Sequence, residues 1–262
     1  MVNIRKNKIK HKLANGEMTS TLMTPFPVTA GFIDFVGPYG FDGVWIENEH
    51  GAIDFADIPD MTRAADLWDM TSIVRVSLNL PSVIYRTLDV GAQGIVMPHV
   101  NTATEARIVA ESSKFYPLGN RGMYTSRQGI GVEDYSLKAN DETLVMVMIE
   151  DIIAVENLDE ILTIDNVDNI DVFLVAPGDL GQSMGLHDRS DPKVIATIDK
   201  AIDKIIGSGK IAGTLVDSTN VESYIDKGVK YFCMGIAPWP VSYTHLRAHE
   251  TEADLVCRLL LE

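Results

Sequence analysis

The sequence has 262 residues, of which 46% are hydrophobic and 23% are charged, a composition typical of one large α/β domain or two smaller ones. This hydrophobic content is enough for a sizeable core and excludes default disorder. Acidic residues outnumber basic ones by 37 to 22, and the formal net charge of −15 disfavours nucleic acid as a partner, because duplex binding needs a cationic surface.

Short apolar runs rich in β-branched residues recur along the chain, and each is followed by a turn signal and a segment with helical periodicity, as in 55–69, 102–116 and 191–207. This alternation predicts an α/β fold, a (β/α)8 TIM barrel of parallel strands covered by helices. A doubly wound open sheet is the alternative, but no glycine-rich turn follows the first run. The predicted strands are Thr21–Thr24, Val44–Asn48, Ile73–Ser77, Gly94–Pro98, Leu144–Glu150, Val172–Pro177, Ile211–Val216 and Tyr231–Ile236.

One long connection, 117–143, interrupts this alternation between the fourth predicted helix and the fifth predicted strand. Connections of this length are usually functional or form interfaces. It starts at the end of the barrel opposite the expected site, so an oligomer contact is the first interpretation and a lid is the second.

The two cysteines, Cys233 and Cys257, form neither a disulfide framework nor a CxxC motif, which favours a reducing compartment. The basic N-terminal segment lacks the apolar core of a signal peptide, and no apolar run is long enough to cross a membrane. We therefore expect a cytoplasmic protein without a membrane partner.

Charged side chains follow several predicted strands, at the barrel end where chemistry gathers in this fold. Glu150 follows strand five and Asp179 follows strand six, and paired carboxylates without nearby Cys or His form an oxygen site that suits Mg²⁺ or Mn²⁺. The alternative is that each carboxylate only stabilises the start of the next helix. Taken together, the two residues favour a metal site.

Arg75 lies inside strand three, where a guanidinium needs a partner. It is either a salt-bridge partner of a neighbouring carboxylate such as Glu150 or a clamp for an anionic substrate, and the two roles are compatible. His50 follows strand two, with Glu47 and Glu49 close by in sequence, and is either a solvated loop residue or a general base.

Other chemistries lack support in the sequence. The lysines that adjoin predicted strands, Lys210 and Lys230, stand at the N-terminal ends, which disfavours a Schiff-base mechanism. Gly129 and Gly131 are not followed by the third glycine of a dinucleotide-binding loop.

Many spaced segments, collinear over residues 7–238, resemble the HpcH/HpaI family of class II, metal-dependent pyruvate aldolases. The matching segments are Phe41–Ile46, Glu49–His50, Arg75, Leu88–Pro98, Tyr116–Pro117, Gly119–Gly122, Val147–Glu150, Val155–Leu158, Ala176–Leu180 and Ser183–Gly185.

The resemblance implies a TIM barrel of the pyruvate/phosphoenolpyruvate type that assembles as a dimer-based homo-oligomer, with hexamers among its relatives. It implies that Glu150 and Asp179 hold Mg²⁺, Mn²⁺ or Co²⁺, that Arg75 neutralises an enolate oxygen, and that His50 with Asp89 moves a proton. It also places Glu47 among the catalytic residues. Substrate contacts are implied for Arg75, Met148, Pro177 and Gly178.

The reaction implied is reversible cleavage of a 4-hydroxy-2-oxo acid into pyruvate and an aldehyde through a metal-bound pyruvate enolate. Alternatives are oxaloacetate decarboxylation, citrate-type condensation, and an inactive barrel that binds a carboxylate. Three departures from the family pattern bear on aldehyde specificity and activity: Glu47 replaces Asp, Met148 replaces Gln, and Gly-Gln follows Leu180.

The last residues, 242–262, resemble translated read-through of a sequencing adapter. We therefore expect residues 1–241 to form a single barrel domain, and the eighth helix to be missing or replaced.

Overall fold

Eight parallel strands form a closed barrel in which each strand pairs with its sequence neighbours and β8 pairs with β1. The structure is a computed structural model that describes residues 2–23, 28–186 and 188–235. The predicted TIM barrel is confirmed, and the strand bounds differ from prediction by up to two residues. The strands are β1 Thr19–Met23, β2 Gly43–Glu47, β3 Thr71–Arg75, β4 Gly94–Met97, β5 Leu144–Ile149, β6 Val172–Val175, β7 Ala212–Val216 and β8 Tyr231–Gly235.

Helices surround the barrel and begin at residues that favour helix starts. A capping box joins Thr102 and Glu105, and Asp191 caps the helix that starts at Pro192. Short 3-10 helices cover Gly37–Tyr39, Arg127–Gly129 and Val167–Asn169. The α-helices are α1 Lys8–Ala14, α2 Ala30–Val36, α3 Ile58–Leu67, α4 Pro81–Asp89, α5 Ala103–Ser112, α6 Tyr135–Glu142, α7 Ile152–Glu156, α8 Leu158–Ile161, α9 Pro177–Ser183, α10 Pro192–Gly207 and α11 Val221–Lys227.

The alternation of side chains along the strands creates two buried layers. One face of each strand packs against the helices, and the other fills the barrel interior, where Trp45, Ile73, Met146 and Met148 are buried. Along a strand, every second side chain lies on the same face. At the C-terminal end of a strand, the residue two positions after an interior side chain therefore lies at the barrel mouth. This rule aims the residues at the C-terminal strand ends toward one another.

The N-terminal end of the barrel is closed by α1, an element that the sequence did not predict. Its apolar residues Ile9 and Leu13 are buried in the same cluster as the barrel interior. Gly43 of β2 makes this contact possible, because a side chain there would meet Ile9. Asn7 caps the helix and is itself fully buried.

The long connection 117–143 packs at this same end and contains α6. Arg127 forms an ion pair with Asp66, and the side chain of Gln128 donates to the carbonyl of Gly91. The lid interpretation is therefore wrong for the chain's own barrel mouth, which lies at the opposite end. The expected oligomer contact stays a prediction.

Some expectations fall outside the described residues. The tail 242–262 and the expected state of the eighth helix are among them, as are Thr24 and Ile236 at predicted strand ends. In the described part of the chain, no helix is long and apolar enough to cross a membrane.

Candidate active site

Three charged side chains enter the mouth of the barrel, two from the adjacent strands β2 and β3 and one from the end of β5. Glu47 follows the interior residue Trp45 by two positions, and Arg75 follows Ile73 in the same way, in a register that pairs the two residues. Glu150 stands two residues beyond Met148 and is fully buried. The sequence therefore brings Glu47, Arg75 and Glu150 to one place through strand parity alone.

Glu47 and Arg75 form a fixed ion pair. Nε of Arg75 lies 3.0 and 2.8 Å from the two carboxylate oxygens of Glu47, and Nη2 lies 2.7 Å from Oε2. Burial alone would raise the pKa of Glu47, but Arg75 and the backbone N–H groups of Glu49 and His50 outweigh it, so this pKa is lowered. Glu47 is thus held as a carboxylate that fixes the guanidinium.

Glu49 continues this polar arrangement toward two imidazoles. Its Oε2 lies 3.1 Å from Nε of Arg75 and 3.7 Å from Nε2 of His50, while its Oε1 lies 3.7 Å from Nε2 of His99. Oε2 is buried and accepts no hydrogen bond in the described part of the chain. His50 is mostly exposed, with 68% of its side chain accessible, and can reach a substrate in the mouth.

Glu150 is a buried carboxylate that is only half satisfied. Its Oε1 accepts a 2.9 Å hydrogen bond from the backbone N–H of His99, whereas its buried Oε2 has no hydrogen-bond partner among the described residues. Burial, opposed in part by His99, raises the pKa of Glu150, and the negative charge of Asp179 raises it further. A cation at this carboxylate would give Oε2 a partner and would offset the burial and the charge repulsion that raise the pKa.

The carboxylates of Glu150 and Asp179 fit a divalent metal ion. In the residues that the structure describes, no group of three or more His, Cys, Asp or Glu side chains is arranged to hold a metal. Mg²⁺ is commonly bound through one or two carboxylates, with water and substrate oxygens in the other positions. The unpaired Oε2 of Glu150 and the neighbouring charge of Asp179 agree with such a site.

His99 and Asp151 belong to the site. The sequence places Asp151 at the end of strand five but assigns it no role, and it does not single out His99. His99 stands just beyond β4, and its Nδ1 lies 2.9 Å from Oδ2 of Asp151. Burial alone would lower the pKa of His99, but the hydrogen bond to Asp151 and the charges of Glu150 and Glu49 outweigh it and raise this pKa. The strand-end rule that selected Arg75 could have selected His99, had it been applied to strand four.

Asp89 is not brought to His50 within the chain. It is the last residue of α4, and a helix that starts after β3 ends at the opposite, N-terminal end of the barrel. There its Oδ1 lies 2.8 Å from Nη2 of Arg121. Burial raises the pKa of Asp89, and Arg121 opposes this shift. The expected pairing of His50 with Asp89 is therefore wrong within one chain. The carboxylate beside His50 in the same chain is Glu49.

The expected substrate contacts lie around the same mouth. Pro177 and Gly178 begin α9 next to Asp179, and Gly178 is exposed with open space where a side chain would stand. Met148 is 97% buried in the barrel interior, one step below Glu150. Met148 thus shapes the floor of the site with an apolar group, where the family pattern commonly has an amide.

Similarity to known proteins covers most of the chain. The family model described as HpcH/HpaI aldolase/citrate lyase matches residues 29–237. The hydroxypyruvate/pyruvate aldolase of Roseobacter denitrificans is 32% identical over 209 residues, which are 78% of this chain and 80% of the relative. The 2-keto-3-deoxy-L-rhamnonate aldolase of Klebsiella pneumoniae is 30% identical over 237 residues, 88% and 87% of the two chains. The solved structure of citrate synthase SbnG is 27% identical, with a TM-score of 0.79, over 88% of this chain and 91% of that chain.

Proposed function

The chain belongs to the HpcH/HpaI aldolase/citrate lyase family, and we propose that it is a divalent-metal-dependent aldolase that reversibly cleaves a 4-hydroxy-2-oxo acid into pyruvate and an aldehyde. Membership of this family makes the protein a carbon–carbon lyase of the aldolase type, and the relatives are named as aldolases. The metal dependence and the identity of the two products are the proposed part.

The observation that carries the proposal is the buried, half-satisfied carboxylate of Glu150 beside a fixed guanidinium. An unpaired buried oxygen is costly unless a ligand completes it. Glu150 and Asp179 would hold a divalent cation at this point. When bound there, a divalent cation would act as a Lewis acid and stabilise the negative charge that develops on a 2-oxo acid.

Arg75 supplies the second positive charge. Glu47 fixes Nε and Nη2. In the proposed reaction, Nη1 would then donate to a substrate oxygen without reorganisation of the guanidinium. Burial alone would lower the pKa of Arg75, but the hydrogen bond and charge of Glu47 and the charges of Glu49 and Glu150 outweigh it and raise this pKa, so the guanidinium stays protonated. Fixed donors at the atom where charge develops are a large source of catalysis.

His50 is the proton-transfer group of the proposal. In the cleavage direction it takes the proton of the 4-hydroxyl as the C3–C4 bond breaks, and in the addition direction it returns a proton to the new hydroxyl. Oε2 of Glu49 stands 3.7 Å from its Nε2. The exposed position of His50 is compatible with transfer through one water molecule.

A coupled assay tests this function. Pyruvate released from a set of 4-hydroxy-2-oxo acids is measured with lactate dehydrogenase, before and after treatment with EDTA and again after Mn²⁺ is restored. We expect release that EDTA abolishes and Mn²⁺ restores. Release that is insensitive to chelation would contradict the metal, and no release from any 2-oxo acid would contradict the aldolase.

A citrate-type condensation is the second candidate, since citrate synthase SbnG shares this fold at 27% identity. In such a reaction of this chain, Glu150, Asp179 and Arg75 would act in the same places with oxaloacetate as the acceptor. Loss of oxaloacetate with acetyl-CoA or phosphoenolpyruvate present, faster than pyruvate release in the coupled assay, would favour it.

We also propose that the chain associates with copies of itself and acts in the cytoplasm. The connection 117–143 exposes large apolar side chains that support an interface, namely Leu118, Met123, Tyr124, Ile130 and Leu137. Light scattering after size-exclusion chromatography measures the oligomeric state.

A further inference from the structure

Two polar atoms face each other in the mouth of the barrel without bonding. Nε2 of His99 and Oε1 of Glu49 are 3.7 Å apart, which is too far for a hydrogen bond. In the described part of the chain, no hydrogen bond reaches Nε2 of His99. The other ring nitrogen of His99, Nδ1, lies 3.7 Å from Oε1 of Glu150, so the pair stands at the edge of the proposed metal site.

Both groups are held in place from behind. The imidazole of His99 is fixed through Nδ1 by Asp151, at 2.9 Å, and its backbone has a left-handed φ of 50°. Glu49 is fixed by its 3.1 Å ion pair with Arg75. About half of the His99 side chain is exposed, so its free edge is accessible from the mouth.

A hydroxyl group matches what this pair offers. It can donate its hydrogen to Glu49 and accept from a protonated Nε2, or it can donate to an unprotonated Nε2, so the match does not depend on the charge of the ring. A carboxylate at the same place would meet the negative charges of Glu49 and Asp151. A methyl group would leave both polar groups unpaired.

We propose that His99 and Glu49 bind a hydroxyl group of the acceptor aldehyde and so select uncharged 2-hydroxyaldehydes over alkyl and anionic aldehydes. This inference rests on the proposed aldolase function. It names His99 as a specificity-determining residue, acting through Nε2, whereas Nδ1 only orients the ring.

The test compares the addition of pyruvate to glycolaldehyde, propionaldehyde and succinic semialdehyde by the Mn²⁺-loaded protein. Glycolaldehyde and propionaldehyde have nearly the same shape and differ by a hydroxyl in place of a methyl. One hydrogen bond corresponds to a preference of about tenfold in kcat/KM for glycolaldehyde. We expect succinic semialdehyde to be the poorest of the three acceptors.

Two variants separate the ring nitrogens. His99→Asn places an amide near the position of Nδ1 and removes Nε2, so the tenfold preference should fall to about one, mainly through a higher KM for glycolaldehyde. His99→Gln places an amide near the position of Nε2 and should restore part of the preference. His11→Asn, at the opposite end of the barrel, is the matched control and should keep the wild-type ratio.

Exchange of the pyruvate methyl hydrogens with D₂O, followed by NMR, reports the 2-oxo acid half of the reaction separately. Both His99 variants should retain measurable Mn²⁺-dependent exchange, which also shows that they are folded. A wild-type ratio near one, a preference for succinic semialdehyde, or an unchanged ratio in His99→Asn would overturn the inference while exchange persists. Absence of exchange and of addition in the wild type would instead contradict the proposed function, and the inference with it.

Discussion

Charged side chains are arranged differently at the two ends of the barrel. At the N-terminal end, carboxylates lie against matching cations, so that opposite charges neutralise one another. At the C-terminal end, Glu47 and Glu49 share the single guanidinium of Arg75, and Glu150 has an oxygen without a partner in the described residues. The pairs of the N-terminal end are Asp42 with Lys8 and Lys12, Asp66 with Arg5 and Arg127, Asp89 with Arg121, and Asp171 with Lys10.

This difference separates stability from function along the barrel axis. The N-terminal end gains free energy of folding from α1 and from paired charges. The C-terminal end carries an excess of negative charge that opposes folding until a cation and a substrate are bound. Substitutions at the two ends should therefore change different measurements.

The largest expected effect is at Glu150. Glu150→Gln keeps the shape of the side chain and the bond from His99 but removes its charge, so kcat for pyruvate release should fall by about a thousandfold, or about 4 kcal/mol. The midpoint of urea unfolding should not decrease, because repulsion with Asp179 is removed. Glu160→Gln on the exposed face of α8 is the control. Turnover like that of the wild type after EDTA and Mn²⁺ treatment would refute the metal assignment.

The next effect is at Arg75. Lysine keeps the charge but cannot hold Glu47 through two nitrogens, so Arg75→Lys should lower kcat about a hundredfold, as expected for one lost donor at the developing charge. The Kd for Mn²⁺, measured by calorimetry, should change much less. Equal losses in kcat and in metal affinity would make Arg75 a structural residue only.

At the N-terminal end of the barrel, substitution of Asn7 should lower the stability of the fold and leave kcat unchanged. Its side chain donates to the carbonyls of Gln93 and Glu142, at 3.0 Å each, and accepts from Thr71. Asn7→Ala leaves these buried groups unpaired and should lower the free energy of unfolding by about 2 kcal/mol. Urea unfolding measures this loss, with the exposed Asn15→Ala as the control. A large drop in kcat of the folded variant would argue against the separation of the two ends.

The smallest effect is a pH dependence due to Lys114. Burial lowers the pKa of this lysine to about 7, although its Nζ donates to the carbonyls of Asn140 and Thr143. Above that pH the folded chain has released the proton while the unfolded chain still binds it, so stability rises with pH. Relative to Lys114→Met, the wild type should gain about 1 kcal/mol between pH 7 and pH 8. A flat difference between the two unfolding curves over this range would refute the shift.

The sequence predicted the strands well because each is a short, β-branched apolar run. Their places on or after predicted strands then selected Arg75 and Glu150, whereas Glu47 was named a catalytic residue through the family resemblance. It did not predict α1, whose two buried apolar residues, Ile9 and Leu13, are surrounded by basic ones. A seven-residue helix depends on tertiary packing more than on local periodicity.

The site was predicted less completely than the fold. His99 was missed because no carboxylate accompanies it in sequence, and its partner Asp151 arrives from the next strand. Asp89 was assigned to His50 through the family pattern, whereas its place at the end of α4 sets it at the far end of the same chain. A residue at the end of a strand lies at the C-terminal end of the barrel, and a residue at the end of the following helix lies at the N-terminal end. A sequence motif alone does not tell these two positions apart.

The position of α1 also has a kinetic consequence. Asn7 bonds to Glu142, which lies 135 residues further along the chain, and to the backbone of Gln93, 86 residues away. The first helix of the sequence therefore cannot complete its contacts until five strands are in register. Contacts of such long sequence separation slow folding, because the loop between them must close first. Amide hydrogens of α1 should thus gain protection late during refolding, after those of β2 and β3.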